Sequence, residues 1–189
     1  PHLYYWPLGA IFFGRAYHEY GISPDAGLAL FRSLSAKIKT ILSSRWDTTT
    51  GLIFIQDPAE SLLPDSDFWA QARRQRIADP AFLALLIHAI ENLIVVGGAW
   101  QQDLRDLIQY NELLIHSTNE HLWNETYGTY FPYDLEQNQQ IVSDSIAGLL
   151  CWIADLPDQT RAEAMYRTLA NNFVHPQHFY FPTNCVTEI

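Results

Sequence analysis

A nine-residue pattern that occurs twice in the sequence sets the strongest limit on the fold. WDTTTGLIF begins at Trp46 and WNETYGTYF begins at Trp123, so both copies fit W-[D/N]-x-T-x-G-x-x-F at a spacing of 77 residues. In each copy we expect the Asp or Asn to bond local backbone and the glycine to adopt positive φ. Chance similarity between two turn-rich segments is the alternative. The spacing predicts repeated units, each with two helices and a structured loop, whose turns lie at the same end of the array.

Hydrophobic periodicity indicates that the repeated units are helical. Apolar residues recur at steps of three and four in six stretches, which predicts six helices. Two of them begin with a capping residue followed by proline, at Ser23–Pro24 and Asp79–Pro80. The sixth begins where Thr160 and Glu163 have the spacing of a capping box. Short polar connections predict antiparallel helical hairpins, so we expect an all-α fold. The fifth stretch contains Ile146, Leu149, Leu150 and Ile153.

Charge and composition exclude several classes of partner. The chain has 189 residues, 48% of them hydrophobic, and a formal net charge of -10. This charge disfavours binding to nucleic acid or to an anionic membrane surface. The longest apolar run, LALLIHAIENLIVV, is interrupted by polar residues and predicts a buried helix, not a membrane span. Aromatic residues make up 14% of the chain, with six tryptophans, a composition compatible with stacking on a neutral ring-shaped ligand.

Cysteine and histidine spacing gives no indication of a metal or a disulfide. Cys151 and Cys185 match no metal motif and no disulfide framework, so free thiols are expected. His116 and His121 are five residues apart, which does not place two ligands on one face of a helix. We therefore expect no metal and no cofactor. No signal peptide is visible, and a cytoplasmic location is expected.

One acidic stretch raises the question of catalysis. The segment QDPAESLLPDSDFW, residues 56–69, places four carboxylates between an apolar run and a tryptophan. Its two prolines exclude it from the middle of a helix. One hypothesis is a solvated surface loop. The other is the acid half of a catalytic site.

Several motifs, in order along the chain, resemble those of a known family. They are the repeated turn, the ESxxxDSxxW stretch, IADPAFLALLIHAIENL, LWNETYGTYFPYD and SIAGLL. Together they resemble the six-hairpin toroid glycosidases, closest to family-63-type α-glycosidases, which include glucosidases and mannosylglycerate or glucosylglycerate hydrolases. The opening PHLYYW and the late FYFPTN resemble further segments of that family. The resemblance implies an (α/α)6 toroid with a central sugar site and inverting hydrolysis by two carboxyl groups.

The family's acid loop matches this chain with one important departure. Glu60 and Ser61 match the family pattern, while Leu62 replaces a glycine and Pro64 stands where the general acid is expected. Asp65 follows one position later. Another departure is in the third helix, where Leu83 replaces an asparagine. Either a small shift of the loop brings Asp65 into the acid's place, or the chain has lost the acid.

The resemblance implies a set of site residues on and near this loop. We expect Asp65 to be the general acid, with Asp67 as the second candidate. We expect four further residues to bind substrate: Glu60, Ser61, Trp69 and Trp6. Rival interpretations are a carbohydrate-binding or scaffold relative without hydrolysis, and a toroid with unrelated chemistry.

The ends of the sequence suggest that it is one part of a longer protein. The chain opens on Pro1 within a helical pattern, and its only methionine is Met165. We expect residues 1–189 to form a single segment of a toroid catalytic domain, covering about half of the ring. In the family, the catalytic base lies further along the sequence. The expected partners are therefore a small carbohydrate substrate and the remainder of the same toroid.

Overall fold

The computed structural model describes residues 3–64, 66–71, 76–143 and 145–172. Within these residues most of the chain is helical, and the strands are two residues long. The α-helices are α1 (Tyr5–Tyr20), α2 (Pro24–Arg45), α3 (Phe68–Gln71), α4 (Pro80–Ala99), α5 (Arg105–His121) and α6 (Gln159–Asn172). Two 3-10 helices span Pro58–Glu60 and Ile146–Ala154. The strands are β1 (Ile77–Ala78), β2 (Trp123–Asn124), β3 (Thr129–Tyr130), β4 (Tyr133–Asp134) and β5 (Gln139–Gln140).

The helices form three consecutive hairpins. The first hairpin is α1 with α2, the second is α4 with α5, and the third is the long 3-10 helix Ile146–Ala154 with α6. Helix α4 packs between α1 and the long 3-10 helix, and these three form an inner layer. Helix α2 packs against α1 and α5 against α4 on the outer side. The predicted array of helical hairpins is confirmed.

The inner helices run parallel to one another. At one end, the rings of Phe13 and Tyr17 on α1 make edge contacts with Trp100 after α4, at centroid distances of 5.9 and 5.7 Å. Towards the other end, Ala147 in the first turn of the long 3-10 helix belongs to one small apolar cluster with Ala81 in the first turn of α4. The N-terminal ends of the inner helices therefore lie together at one end of the array.

Helix α4 is the centre of the core because it is covered on several sides. Thirteen of its residues are buried, including Leu83, which is 0% exposed. Among the described residues it is the one helix long and apolar enough to cross a membrane, but 67% of its most apolar window is buried inside the protein. It is the buried helix that the sequence predicts.

The two copies of the repeated pattern form the same turn. Asp47 Oδ1 accepts from the backbone N–H groups of the second and third residues after it, at 3.1 and 2.9 Å. Asn124 Oδ1 makes the equivalent bonds at 3.0 and 3.1 Å. Gly51 and Gly128 close the turns with φ values of 70° and 61°, a conformation that favours glycine. The local structure predicted for both copies is confirmed.

A strip of short strands joins the two turns at one end of the array. Ile55, just after the first turn, forms an antiparallel bridge with Ile77 of β1. Strand β1 pairs with β4, which pairs with β5. From β5, Gln140 Oε1 accepts from the Asn124 side chain of the second turn at 2.7 Å. Both turns therefore lie at the same end, where α2 and α5 finish and α4 begins.

Two helix predictions need correction. The fifth predicted helix is a 3-10 helix, whose tighter winding narrows the backbone, and Gly148 in it lies directly against the Tyr130 carbonyl. Helix α6 begins at Gln159, before Thr160, because Asp158 supplies the cap: its Oδ1 accepts from Arg161 N at 2.9 Å. The predicted Thr160–Glu163 capping box is therefore wrong. The FYFPTN segment and Cys185 lie outside the described residues.

Candidate active site

The acidic loop, residues 56–69, lies at the end of the array that carries the repeated turns. It follows the first hairpin and returns to the core through the short helix α3. At its start, Asp57 Oδ1 accepts from Ala59 N at 2.9 Å and caps the 3-10 helix Pro58–Glu60. Further along, Ser66 N donates to the carbonyl of Leu63 at 3.1 Å. The loop therefore has defined local structure on both sides of Asp65, which itself lies outside the described residues.

Glu60 connects the loop to the end of helix α2. Its Oε1 accepts from Arg45 Nη2 at 2.7 Å, and its Oε2 accepts from the backbone N–H of Gln56 at 2.9 Å. The Glu60 side chain is only 16% exposed. Both carboxylate oxygens are thus engaged within the protein, which gives Glu60 a structural role in the loop. Its contact with substrate stays a prediction.

Ser61 connects the loop to the N-terminus of helix α4. Its hydroxyl donates to Asp79 Oδ2 at 2.5 Å, and both residues are 1% exposed. Asp79 Oδ1 also accepts from Ala81 N at 2.9 Å and caps α4. Burial raises the pKa of the Asp79 carboxyl, although the hydrogen bonds from Ser61 and the backbone act in the opposite direction. The Ser61–Asp79 pair is therefore an interior anchor, since neither side chain is open to solvent.

Ser66 connects the loop to the third hairpin. Its hydroxyl lies 2.9 Å from the hydroxyl of Ser145, and both residues are buried, at 3% and 8% exposure. Ser145 Oγ also accepts from Ala147 N at 3.2 Å and caps the long 3-10 helix. A loop that begins at the first hairpin is thus held by the residues that cap the inner helices of the second and third hairpins.

Two aromatic residues close the loop. Phe68 is 0% exposed and belongs to a small apolar cluster with Ile77 and Ala147. Trp69 is partly buried, packs against this cluster and against the main core, and its ring lies 4.9 Å from that of Phe68. The indole Nε1 of Trp69 is buried and has no hydrogen-bond partner among the described residues. Trp69 therefore fixes the loop to the core.

The structure places the other candidates at the same end but apart from one another. Trp6 lies in the first turn of α1, is 38% exposed, and has Lys37 Nζ 5.1 Å from its ring centre. Asp67 is partly buried and its carbonyl accepts from Ala70 N at 3.1 Å, at the start of α3. Glu60, Ser61, Asp67 and Trp69 thus share one loop, whereas Trp6 approaches from a separate helix.

The comparisons with known proteins identify the family. The model of the mannosylglycerate hydrolase MGH1-like glycoside hydrolase domain matches residues 5–188. The chain belongs to this family. None of the curated protein sequences matches it.

Solved structures agree on the fold of this MGH1-like domain. It is similar to the GH63 mannosylglycerate hydrolase from Thermus thermophilus in complex with glucose, with a TM-score of 0.79 at 21% identity over 85% of this chain and 50% of that chain. The complex of the same enzyme with Tris and D-glycerate gives 0.78 at 20% identity, covering 85% and 52%. A rhamnosidase from Klebsiella oxytoca with rhamnose bound gives 0.60 at 15% identity, covering 85% and 28%. The three hairpins are therefore part of a helical toroid, and the chain spans about half the length of the mannosylglycerate hydrolase chains.

Two departures from the family's pattern, one in the acid loop and one in helix α4, have different structural settings. Pro64 is exposed, so its ring is not required for packing in the described part of the MGH1-like domain. Leu83, where the family carries an asparagine, is completely buried in the main apolar cluster, an environment that suits leucine. The first departure lies on the surface of the acidic loop, and the second lies in the core.

Sequence reasoning missed three residues of this site. Asp79 was identified as a helix cap but not as the partner of Ser61, and neither Arg45 nor Ser145 was identified. Arg45 and Ser145 carry no local signal, because their partners lie 15 and 79 residues away in the sequence. In the described ranges no group of three or more His, Cys, Asp or Glu side chains could hold a metal ion.

Proposed function

We propose that the protein containing this MGH1-like domain is an inverting α-glycoside hydrolase that acts on small α-linked glucosyl or mannosyl substrates. The domain, residues 1–189, supplies the half of the toroid that carries the general acid. The remainder of the same toroid supplies the base. The observation that carries this proposal is the acidic loop, which is held by buried hydrogen bonds to the caps of two inner helices at one end of the array.

The chemistry needs two carboxyl groups on opposite sides of the sugar. One donates its proton to the glycosidic oxygen as the bond from that oxygen to the anomeric carbon breaks. The other takes a proton from a water molecule, whose oxygen bonds to the anomeric carbon from the opposite face. The two groups stand roughly 6.5–9.5 Å apart in inverting enzymes. Asp65 is the proposed acid and Asp67 the second candidate, with a carboxylate of the remaining half ring as base.

The substrate class rests on the family and on the structural neighbours. The neighbours are a mannosylglycerate hydrolase, with glucose in one complex and D-glycerate in another. A glucose- or mannose-sized ring would contact Trp69 and Trp6 at the end of the toroid, whereas Ser61, which is 1% exposed and bonded to Asp79, would hold the loop from inside. The cytoplasmic location stays a prediction.

A second function is favoured by one observation, the proline at the acid's expected position. Proline carries no proton to donate, so a domain with Pro64 in that place and no compensating carboxylate would bind a sugar without cleaving it. In that case the carbohydrate-binding or scaffold function would apply. The exposure of Pro64 leaves this position open to a bound ligand.

The two functions are separated by an assay of the full-length protein. We would incubate it with a panel of α-linked disaccharides and glycosylglycerates and follow the anomeric protons by NMR. The hydrolase predicts the β-anomer as the first product from an α-linked substrate. Binding of a panel member in calorimetry without any hydrolysis would establish the second function. Retention of the α-configuration would contradict the inverting mechanism.

A further inference from the structure

The acidic loop makes two buried side-chain bonds that reach beyond its own hairpin. Ser61 donates to Asp79 at 2.5 Å, and Ser66 is bonded to Ser145 at 2.9 Å. The four residues are between 1% and 8% exposed. Hydrogen bonds in such dry surroundings are stronger than in water, and an unpaired partner is costly.

The two partners of the loop serines, Asp79 and Ser145, each also cap a helix. Asp79 caps α4 through Ala81 N, and Ser145 caps the long 3-10 helix through Ala147 N. A movement of either inner helix would therefore be transmitted directly to the loop. The two bonds are made five residues apart in the loop, on either side of Pro64 and Asp65.

The geometry points to Asp79 and Ser145 as positioning residues, which aim the carboxylate of the acidic loop from the second and third hairpins. This inference rests on the proposed hydrolase function. Neither residue is open to the substrate, so neither is a catalytic residue. Their effect is on the orientation of the proton donor, and a misplacement of about 1 Å in such a group can cost about 100-fold in rate.

A positioning role predicts an effect that depends on the leaving group. In the full-length protein, Ser145→Ala should lower kcat about 10- to 100-fold on a disaccharide, whose leaving group needs a proton. On a dinitrophenyl glycoside, which leaves without a proton, the same variant should change kcat less than about threefold. KM should stay the same for both substrates. Ser145→Thr restores the hydroxyl and should restore the rate.

Two further variants separate positioning from folding. Ser66→Ala removes the same bond from the loop side and leaves the cap of the 3-10 helix intact, so it should reproduce the loss. The double variant should be no worse than Ser145→Ala alone, because Ser66 and Ser145 share one bond. Ser143→Ala is the matched control: Ser143 is 8% exposed, and its hydroxyl has no hydrogen-bond partner among the described residues.

Hydrogen exchange tests the anchor without using activity. Peptides of the acidic loop should exchange faster in Ser66→Ala and Ser145→Ala, with no change in Ser143→Ala. Equal losses on both substrates, or unchanged exchange in the loop, would overturn the inference. A wild-type protein that hydrolyses nothing contradicts the proposed function instead, and the exchange of the loop then decides whether the anchors exist.

Discussion

The hydroxyl of Ser61 donates to Asp79 Oδ2 at 2.5 Å, although the two residues are 18 positions apart. This bond fixes the acidic loop to the first turn of the most buried helix. Because Asp79 also caps that helix, the loop and the core share one carboxylate. The charge state of Asp79 therefore affects both stability and the geometry of the loop.

The first prediction concerns the pH dependence of stability at Asp79. Burial raises the pKa of this carboxyl above its unfolded value of about 3.9. The folded state then holds the proton more tightly than the unfolded state does. The contribution of Asp79 to stability is therefore fully present below the unfolded pKa, and it is lost as the pH rises through the folded pKa. Asp79→Asn keeps an acceptor for the cap and removes the buried charge. Urea unfolding should show the variant gaining stability relative to wild type between pH 4 and pH 7.

Asp47 provides a control, because its contribution to stability should depend on pH in the opposite direction. Burial of Asp47 acts to raise its pKa, but the hydrogen bonds from Thr50, Thr49 and Arg76 outweigh it and lower the pKa. Its contribution is present above about pH 3.9 and is lost as the pH falls through the folded pKa. Asp47→Asn should therefore cost about 1 kcal/mol at pH 7 and less in acid. The same pH trend in both variants would contradict the assignment.

The second prediction concerns the repeated turn. Gly51 has a φ of 70°, and a Cβ there would lie 2.5 Å from Ser117 Oγ. Gly51→Ala should destabilise the protein by about 1–2 kcal/mol. A Cβ on Gly98 in α4 would meet Leu104 Cδ1 at an ordinary contact distance of 3.9 Å, so Gly98→Ala should instead stabilise the protein by roughly 0.5 kcal/mol. Thermal unfolding measures both, and a loss at Gly98 as large as that at Gly51 would rule out the turn as the cause.

The repeated turn and the Asp79 cap could be predicted because their physics is local, whereas Ser23 occupies the N-cap position of α2 without a side-chain hydrogen bond. The Asp47 and Asn124 turns need only a side-chain acceptor and a glycine within a few residues. The start of α4 can likewise be predicted from two adjacent residues, Asp79 as the cap and Pro80 in the first turn. The start of α6 was mispredicted because two acceptors, Asp158 and Thr160, compete within one turn, and the carboxylate caps the helix.

The candidate site could be predicted only in part. The acidic loop was located from its motif, but the partners that hold it come from other hairpins. Arg45 on α2 and Ser145 before the long 3-10 helix bond the loop only after the helices have packed. A sequence pattern records periodicity and turns, and it does not record which hydroxyl meets which partner across the interior.

The third prediction concerns the edges of the half ring. Phe12 on α1 and Tyr166 on α6, in the first and third hairpins, are each 65% exposed. The rest of the toroid would border these two hairpins. The isolated 189 residues should therefore self-associate and elute ahead of a 21.7 kDa monomer in size-exclusion chromatography.

Surface variants identify which apolar residues cause the association. Phe12→Gln together with Tyr166→Gln should shift elution towards the monomer. Ile108→Gln together with Leu113→Gln is the control, because these exposed residues lie on the outer helix α5. Equal effects of the two pairs on elution would show that the association does not depend on the edges of the half ring.

The most direct measurement of the central claim is the rate of Asp65→Asn in the full-length protein on two substrates. If Asp65 is the general acid, kcat on an α-linked disaccharide should fall by about 10²–10⁴. On a dinitrophenyl glycoside the same variant should keep a rate near that of wild type, because that leaving group needs no proton. Asp67→Asn is the matched control and should retain activity on both. Equal activity of Asp65→Asn and wild type on the disaccharide would show that the acidic loop does not supply the proton through Asp65.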